Sequence, residues 1–409
     1  MTLLDTYVLS ATTRLASILS GADKLELGAT TVLVGCHLAD PEDHAFVAGI
    51  AYIENLNAWS RRSGLEVQYQ FDPEERPSGQ SINLSFPGPI SVDMGPLSAR
   101  LHLAWQSGIE RARGRTTASV TELACLEFSS EEPRPLGFWL DLLGSMADLV
   151  SLSALRACGL ITMQVYLPPT PDLFPENHPQ RNQQHEIDVY QRRLVKAQPD
   201  EKSQSQRDLV LTLDDLAFEE LLPKWLEVRD TFAAARGMIL GLRYVTSGYL
   251  ETRVVTAVAA AESMHRALDL GPAIPAEEFS SLRRQLLEAV PAERKAWLSD
   301  RLMSNEPNLK QRLLDLVARL GAVGQALVAD PEEWAKAAKN ARNTLAHVGS
   351  SDHHDTEVLY AVVEVTAPVV ILNLLHELGV PENRLLRAID EHSTLSHAKE
   401  LARTVLKRG

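Results

Sequence analysis

The segment from residue 330 to residue 347 reads DPEEWAKAAKNARNTLAH and carries the sequence signals of one complete helix. Asp330 fits the N-cap, Pro331 the first helical position, and Glu333 the return arm of a capping box. Helical spacing predicts one inward face, made up of Trp334, Ala337, Ala338, Ala341 and Leu345. Gly349 to Ser351 follows and predicts the end of the helix.

Helical periodicity dominates the chain after residue 213. The pattern predicts helices at about 215–243, 247–269, 277–290, 307–327, 331–347, 356–378 and 382–406. The helix after the quoted segment is nearly all apolar from Val358 to Leu375, so we expect it at the centre of the bundle. Pro368 predicts a kink or a local break in that helix. Its apolar core, from Leu359 to Leu375, contains Glu364 and Thr366 and is predicted to fall short of a bilayer span.

The first half of the chain mixes strand and helix signals. Apolar and β-branched runs predict strands at 30–37, 46–53, 65–71, 82–86, 99–105, 118–127, 160–167, 186–195 and 209–213. Leu136 to Leu155 has helical spacing instead. We therefore predict an α+β protein, with a mixed strand and helix domain at 1–213 and an all-α helical bundle at 214–409.

Composition and charge narrow the functional classes. The chain has 409 residues and a net charge of −14 at pH 7, whereas a protein that clamps nucleic acid over its whole surface is normally basic. The chain has three cysteines, an odd number, and they are widely spaced at Cys36, Cys125 and Cys158. This pattern disfavours a disulfide framework or a cysteine zinc site. With no signal peptide in the N-terminal sequence, we expect a soluble cytoplasmic protein with no membrane partner.

The quoted helix ends with a pattern that can carry chemistry, Arg342 followed by Asn343 and, five residues after the arginine, His347. The spacing alone is weak, because Arg387 and His392 repeat it. The second match has alanine after the arginine and carboxylates beside the histidine, and it predicts a solvated helix face. The surrounding sequence must therefore decide which of the two Arg-x4-His patterns carries the chemistry.

The first pattern, in an all-helical domain and followed by a long apolar helix, resembles the signature of the HEPN superfamily, whose active members are metal-independent ribonucleases. Ala261 to Arg266, after Tyr249 to Arg253, resembles the polar second-helix segment of the ApeA-type anti-phage branch. Segments of the first half resemble the ApeA N-terminal domain, namely 2–5, 31–35, 53–59 and 138–152. Against that family, we expect the chain to begin partway into the N-terminal domain, without its first strands.

The resemblance implies a role for each residue of the pattern. RNA cleaves itself when its 2′-hydroxyl loses a proton and the charge on phosphorus is stabilised. His347 is implied as general base or acid, Arg342 as the clamp on the phosphate and transition state, and Asn343 as an orienting group. Glu262 has two alternative roles. It holds Arg342 or a histidine in place, or it simply pairs with Arg266 at i, i+4 on the same helix. This chemistry needs no metal or other cofactor.

Helix geometry adds a constraint. Asn343 and His347 are four residues apart and share a face, whereas Arg342 and His347 differ by roughly 140° on an ideal helix. Either the helix ends near His347, or two chains each supply part of the site, as in HEPN homodimers. The alternative is that Arg342 and His347 merely cap the C-terminus of the helix, where cations are favourable for electrostatic reasons alone.

Other polar groups near the pattern have plain explanations as well as functional ones. Asp352 to Asp355 contains two histidines, but adjacent loop residues seldom form one metal site, so a solvated loop is favoured. Lys336 and Lys339 either supply local positive charge or form an ordinary solvated face. His265 is predicted to be a packed or solvated helix residue.

The resemblance thus implies a metal-independent endoribonuclease of a bacterial anti-phage, abortive-infection system. Its partners are an RNA substrate, with tRNA as one candidate, a second copy of the chain in a homodimer, and a phage-derived trigger sensed by the N-terminal domain. The alternative is a non-catalytic HEPN-like scaffold for dimerisation or RNA binding. The intact set of Arg342, Asn343 and His347 favours catalysis.

Overall fold

The computed structural model describes residues 1–12, 24–170, 175, 178, 182–198, 208–245, 247–348 and 355–407, without the side chains of residues 12 and 346–348. These residues divide into two compact units, Met1–Pro223 and Lys224–Gly409. The fold is α+β, as predicted, because strands make up most of the first unit and helices the second. The division between the units lies within a helix, Phe218–Thr231 (α3), beyond the boundary proposed from the sequence near residue 213.

An eight-stranded sheet forms the body of the first unit. The strands in chain order are β1 (Thr2–Thr12), β2 (Lys24–Val34), β3 (Phe46–Ile53), β4 (Leu65–Phe71), β5 (Pro77–Leu84), β6 (Ile90–Asp93), β7 (Leu97–Ala112), β8 (Arg115–Arg134), β9 (Leu160–Leu167) and β10 (His185–Gln191). The sheet has the order β1-β2-β10-β9-β3-β8-β7-β6, and all neighbouring strands are antiparallel. β4 and β5 form a separate hairpin.

Two helices cover this sheet, α1 (Leu56–Ser60) and α2 (Leu136–Ala154). α2 packs on β3 and β9, and the indole N–H of Trp139 donates to the Phe46 carbonyl at 3.2 Å. Gly49 of β3 permits this approach, because a Cβ there would lie 3.0 Å from the side chains of Leu143 and Trp139. The bare backbone at Gly49 thus allows α2 to sit directly on the sheet.

The run Leu209–Leu213 is not a strand, so that prediction was wrong. Leu209, Val210 and Leu211 are buried, which explains their apolar character. The backbone N–H of Val210 donates to the Ser153 carbonyl at 2.7 Å, and that of Leu213 to the Trp59 carbonyl at 3.1 Å. These donors therefore bond to residues of α1 and α2 instead of a sheet ladder.

Helices make up the described part of the second unit. After α3 they are α4 (Ala233–Tyr244), α5 (Leu250–Leu268), α6 (Ala276–Ala289), α7 (Ala292–Arg301), α8 (Leu309–Arg319), α9 (Ala322–Leu327), α10 (Pro331–Val348), α11 (Thr356–Glu377), α12 (Glu382–Glu391) and α13 (Ser393–Thr404). α11 packs against α4, α5, α8, α9, α10 and α13, which confirms the central position predicted for it. It continues through Pro368 as one helix, so the predicted local break does not occur.

Three of the predicted long helices are each divided in two. The breaks lie at Phe232, at Gly321 and at His392. Gly321 has φ +57°, a left-handed conformation that glycine adopts at little cost, and it ends the run that begins with α8. His392 is buried and its Nδ1 accepts the backbone N–H of Thr394 at 3.1 Å, so it caps α13. The solvated face predicted for Arg387 and His392 is therefore wrong for the histidine.

Two helices, α2 and α11, are long and apolar enough to cross a bilayer by length and composition. α11 extends to 22 residues, so the expectation that its apolar stretch is too short for a span was wrong. Burial explains the composition of both helices, since most of α2 and 83% of the apolar window of α11 are buried in the protein.

α10 is anchored at its start and along one face. The Asp330 carboxylate accepts the backbone N–H of Glu333 at 3.1 Å, which confirms the predicted N-cap. The indole N–H of Trp334, fully buried, donates to the Thr366 hydroxyl of α11 at 3.2 Å. The buried face consists of Trp334, Ala335, Ala338, Ala341 and Leu345. Ala335 therefore takes the inward place predicted for Ala337, which is only half-buried.

The N-cap of α10 gives a stability prediction. Asp330→Ala removes the acceptor for the Glu333 N–H, so we expect the free energy of unfolding of the helical unit to fall by about 1 kcal/mol. Asp330→Asn keeps a side-chain oxygen and should leave the unit near wild-type stability. Urea unfolding followed by circular dichroism measures both variants, and equal midpoints for the two would contradict this role of Asp330.

Candidate functional site

The last turns of α10 place Arg342 and Asn343 outside the packed face. The Arg342 side chain is 36% exposed, and its Nη1 donates to Oδ1 of Asn343 at 3.3 Å. Its Nη2 lies 3.8 Å from Oε2 of Glu262, which α5 presents. The structure thus brings together three of the four residues predicted for the site, from two helices that pack against each other.

Glu262 makes both of the contacts that the sequence left as alternatives. Its Oε1 pairs with Nη2 of Arg266 at 3.1 Å, one turn along α5, while Oε2 faces Arg342. One carboxylate therefore lies between two guanidinium groups. At 3.8 Å the pair with Arg342 is longer than a hydrogen bond, so the arginine keeps donors for another acceptor. Exposed pairs of this kind stabilise proteins weakly, by about 0–1 kcal/mol.

The backbone of His347 lies in the last turn of α10, which ends at Val348. The side chain of His347 lies outside the described residues. The helix therefore ends next to His347, which is one of the two arrangements that the spacing of Arg342 and His347 allowed. The other arrangement, a site shared between two chains, stays a prediction.

The ion pairs extend from Glu262 to two residues that the sequence did not single out, Glu306 and Arg312. Oε2 of Glu306 lies 3.3 Å from Nη1 of Arg266 and 2.5 Å from Nη2 of Arg312. Arginines and carboxylates thus alternate from Arg342 to Arg312. No local motif signals this network, because its members come from α5, α8, α10 and the segment before α8.

Three of the remaining candidates near the site make contacts within the protein. His265 is 3% exposed, and its Nε2 lies 3.0 Å from Oδ2 of Asp315, which confirms the packed alternative. Lys336 is exposed and pairs with Glu333 at 3.1 Å. Asp355 caps α11 by accepting the backbone N–H of Glu357 at 2.9 Å. Residues 352–354 of the predicted loop cluster lie outside the described residues.

Burial disfavours a reactive thiolate at two of the three cysteines. Cys125 and Cys158 are buried, and burial raises the pKa of each thiol to about 11. Sγ of Cys125 lies 3.0 Å from Nε2 of His102, whose own pKa is lowered chiefly by burial. Both shifts favour the neutral thiol and the neutral imidazole, so this pair is not an activated nucleophile.

Comparison with known families covers both units. A family model described as ApeA N-terminal domain 1 matches residues 1–225, more than half of the chain. A second, described as Apea-like HEPN, matches residues 255–384, which contain Glu262, Arg342 and His347. No curated protein and no solved structure is significantly similar to the chain. The chain therefore belongs to the ApeA-type HEPN proteins, a class associated with anti-phage defence.

Proposed function

We propose that the chain is a metal-independent endoribonuclease whose site is built on Arg342 and His347. The observation that carries this proposal is the pairing of Arg342 with Glu262 and Asn343 at the exposed end of α10, next to the backbone of His347. HEPN domains are in general ribonucleases, which agrees with this arrangement. The family resemblance implies the individual roles.

The proposed reaction uses the 2′-hydroxyl of RNA as the nucleophile. The imidazole of His347 takes the hydroxyl proton, the 2′-oxygen bonds to the adjacent phosphorus, and the bond from phosphorus to the 5′-oxygen breaks. A histidine suits this transfer because its pKa lies near neutral. The guanidinium of Arg342 stabilises the negative charge that grows on the phosphoryl oxygens. The products are a 2′,3′-cyclic phosphate and a 5′-hydroxyl.

The departing 5′-oxygen needs a proton, and one imidazole cannot act as base and acid in the same step. A homodimer solves this problem, because two-fold symmetry brings two copies of the motif to one axis. The second copy then supplies the acid. This is also why the roughly 140° between Arg342 and His347 is acceptable, since the two need not act from the same chain.

Glu262 acts in this scheme as a positioning residue. In the free protein its carboxylate holds Arg342 near the place of the phosphate and offsets the positive charge. The scissile phosphate then replaces a weak, exposed pair with charge-assisted hydrogen bonds to a planar fork. An acidic protein with a net charge of −14 can hold RNA in this local way.

The first unit is proposed to sense a phage-derived trigger and to restrain the nuclease. An unrestrained ribonuclease is toxic to its host cell, so a protein of the anti-phage class needs such control. We assign sensing to residues 1–213 and cleavage to residues 214–409. Substitutions near that boundary that raise toxicity in cells support the assignment, and unchanged toxicity in all of them contradicts it.

Cleavage in the presence of EDTA tests the catalytic assignment. We expect the purified chain to cut total tRNA with all divalent metal chelated. His347→Ala should lower the rate by at least about 100-fold, because it removes the proton acceptor. His397→Ala is the matched control, since His397 is an exposed histidine of α13 in the same unit.

Two results of this assay would count against the proposal. If His347→Ala cuts as fast as the wild type, the activity comes from another site or from a contaminant. If neither protein cuts, even in extract from phage-infected cells, the chain is a non-catalytic scaffold for dimerisation or RNA binding. A product without a 2′,3′-cyclic phosphate end contradicts the proposed nucleophile.

Arg342 and Glu262 should affect different kinetic constants. Arg342→Gln removes the charge and should lower kcat by about 100-fold, the cost of losing one transition-state donor. Glu262→Gln removes the competing anion, so KM for RNA should fall, while kcat also falls because Arg342 is less well oriented. Arg387→Gln, the exposed arginine of the second Arg-x4-His pattern, is the control and should change neither constant. Equal effects of Arg342→Gln and Arg387→Gln would remove Arg342 from the site.

A further inference from the structure

A cavity of about 250 Å³ lies at the C-terminal end of α5, beside the segment that precedes α8. Arg266 and His265 of α5, Glu306 of that segment and Arg312 of α8 contribute to its lining. This volume is below the ~300–1,000 Å³ typical of sites for drug-sized ligands. The cavity therefore suits a small charged group better than a large apolar molecule.

Arg312 is the buried charge of this cavity, with 4% of the residue exposed. Its Nε donates to the carbonyl of Pro307 at 2.8 Å, and its Nη2 pairs with Glu306 at 2.5 Å. These two contacts occupy two of the five N–H donors of the guanidinium. A buried guanidinium needs acceptors for its donors, so Arg312 favours an anion in the cavity.

His265 adds a second buried donor or acceptor to the lining. Its side chain is 3% exposed, and Asp315 occupies only Nε2. Nδ1 is buried, and among the described residues it has no partner. A buried ring nitrogen without a partner costs stability unless a ligand or a water molecule bonds to it. Two guanidinium groups and one imidazole thus line the same small space, beside the carboxylates of Glu306 and Asp269. Among the described residues, no group of three or more His, Cys, Asp or Glu side chains could hold a metal ion.

Glu306 occupies the position that an anion would take. Its Oε2 alone serves both Arg266, at 3.3 Å, and Arg312. Its side chain is 59% exposed and lies outside the helices, in the segment between α7 and α8. Its pair with Arg266 is exposed on both sides and costs little to break, whereas buried Arg312 must receive another anion when Glu306 leaves. A phosphate presents more acceptor oxygens to the same two guanidinium forks.

We propose that this cavity is a subsite for a backbone phosphate of the RNA substrate, which displaces Glu306 and binds Arg266 and Arg312. The proposal rests on the proposed ribonuclease function and extends it from the scissile phosphate to a neighbouring one. Arg266 and Arg342 share the carboxylate of Glu262, so the two phosphates would follow the C-terminal turns of α5. The subsite fixes where the strand lies relative to Arg342.

Binding of a short, fluorescent 2′-O-methyl oligoribonucleotide to the full chain tests this subsite. The blocked 2′-oxygen prevents cleavage, so the result does not depend on catalysis. Arg266→Gln should weaken binding about tenfold, near the lower end for the loss of one charged hydrogen bond, and should reduce the salt slope by about 0.7. Glu306→Gln should tighten binding, because it removes the competing carboxylate.

Two exposed residues of α6 provide controls with the same changes of charge, Arg284→Gln and Glu288→Gln. If Arg266→Gln and Glu306→Gln bind the oligoribonucleotide no differently from these controls, the proposal is overturned. A double variant separates the subsite from an effect transmitted through Glu262 to Arg342. If Arg266 binds the phosphate, Glu306→Gln should raise the RNA affinity less in the Arg266→Gln background than in the wild type. If the effects of the two substitutions on RNA affinity simply add, the subsite is contradicted.

A last experiment distinguishes an RNA backbone phosphate from a free phosphate as the ligand of the cavity. Thermal unfolding is measured with inorganic phosphate and with AMP, in the wild type and in Arg266→Gln. If these small anions raise the wild-type Tm through Arg266 but RNA affinity is the same in all variants, the cavity binds a free phosphate and the substrate subsite is wrong. Because binding is measured without cleavage, loss of the subsite and loss of ribonuclease activity give different results.

Discussion

One face of α10 is buried against the bundle, and this constraint decides what the end of the helix can do. Trp334 is enclosed and donates to Thr366 of the central helix α11, and Leu345 continues the same face at 8% exposure. With that face fixed in the core, Arg342 must project from the side of the helix. There it meets Glu262 of α5. The position of the arginine therefore follows from the packing of its neighbours.

Most of the ion pairs around this position are weak. Glu262 and Glu306 each lie between two arginines, and every pair except that of buried Arg312 involves partly exposed side chains. Such pairs add little to stability, but they keep guanidinium groups in place without an RNA. A chain of net charge −14 can thus present a row of cations at one place while it repels polyanions elsewhere.

The sequence predicted this region well because its signals are local. The start of α10 was correct and its end was within one residue. The start signals, Asp330 and Pro331, act on adjacent backbone groups. Elements that depend on distant partners were missed. The run at 209–213 has the composition of a strand but bonds to residues of α1 and α2, and Glu306 meets Arg266 only after the chain has passed through α6 and α7. Spacing along the sequence carries no information about such contacts.

The central claim is that Arg342 and His347 form one catalytic site shared by two chains, and complementation tests it most directly. Arg342→Gln and His347→Ala proteins are mixed, and native mass spectrometry confirms that heterodimers form. Each heterodimer holds one intact arginine and one intact histidine, on different chains. A site shared between chains predicts that the mixture cuts RNA faster than either parent alone, because the base and the arginine are restored at one site. It should still cut more slowly than the wild type, because the heterodimer lacks the second histidine, which would act as the acid. A mixture no more active than its parents, with heterodimers present, would contradict the account.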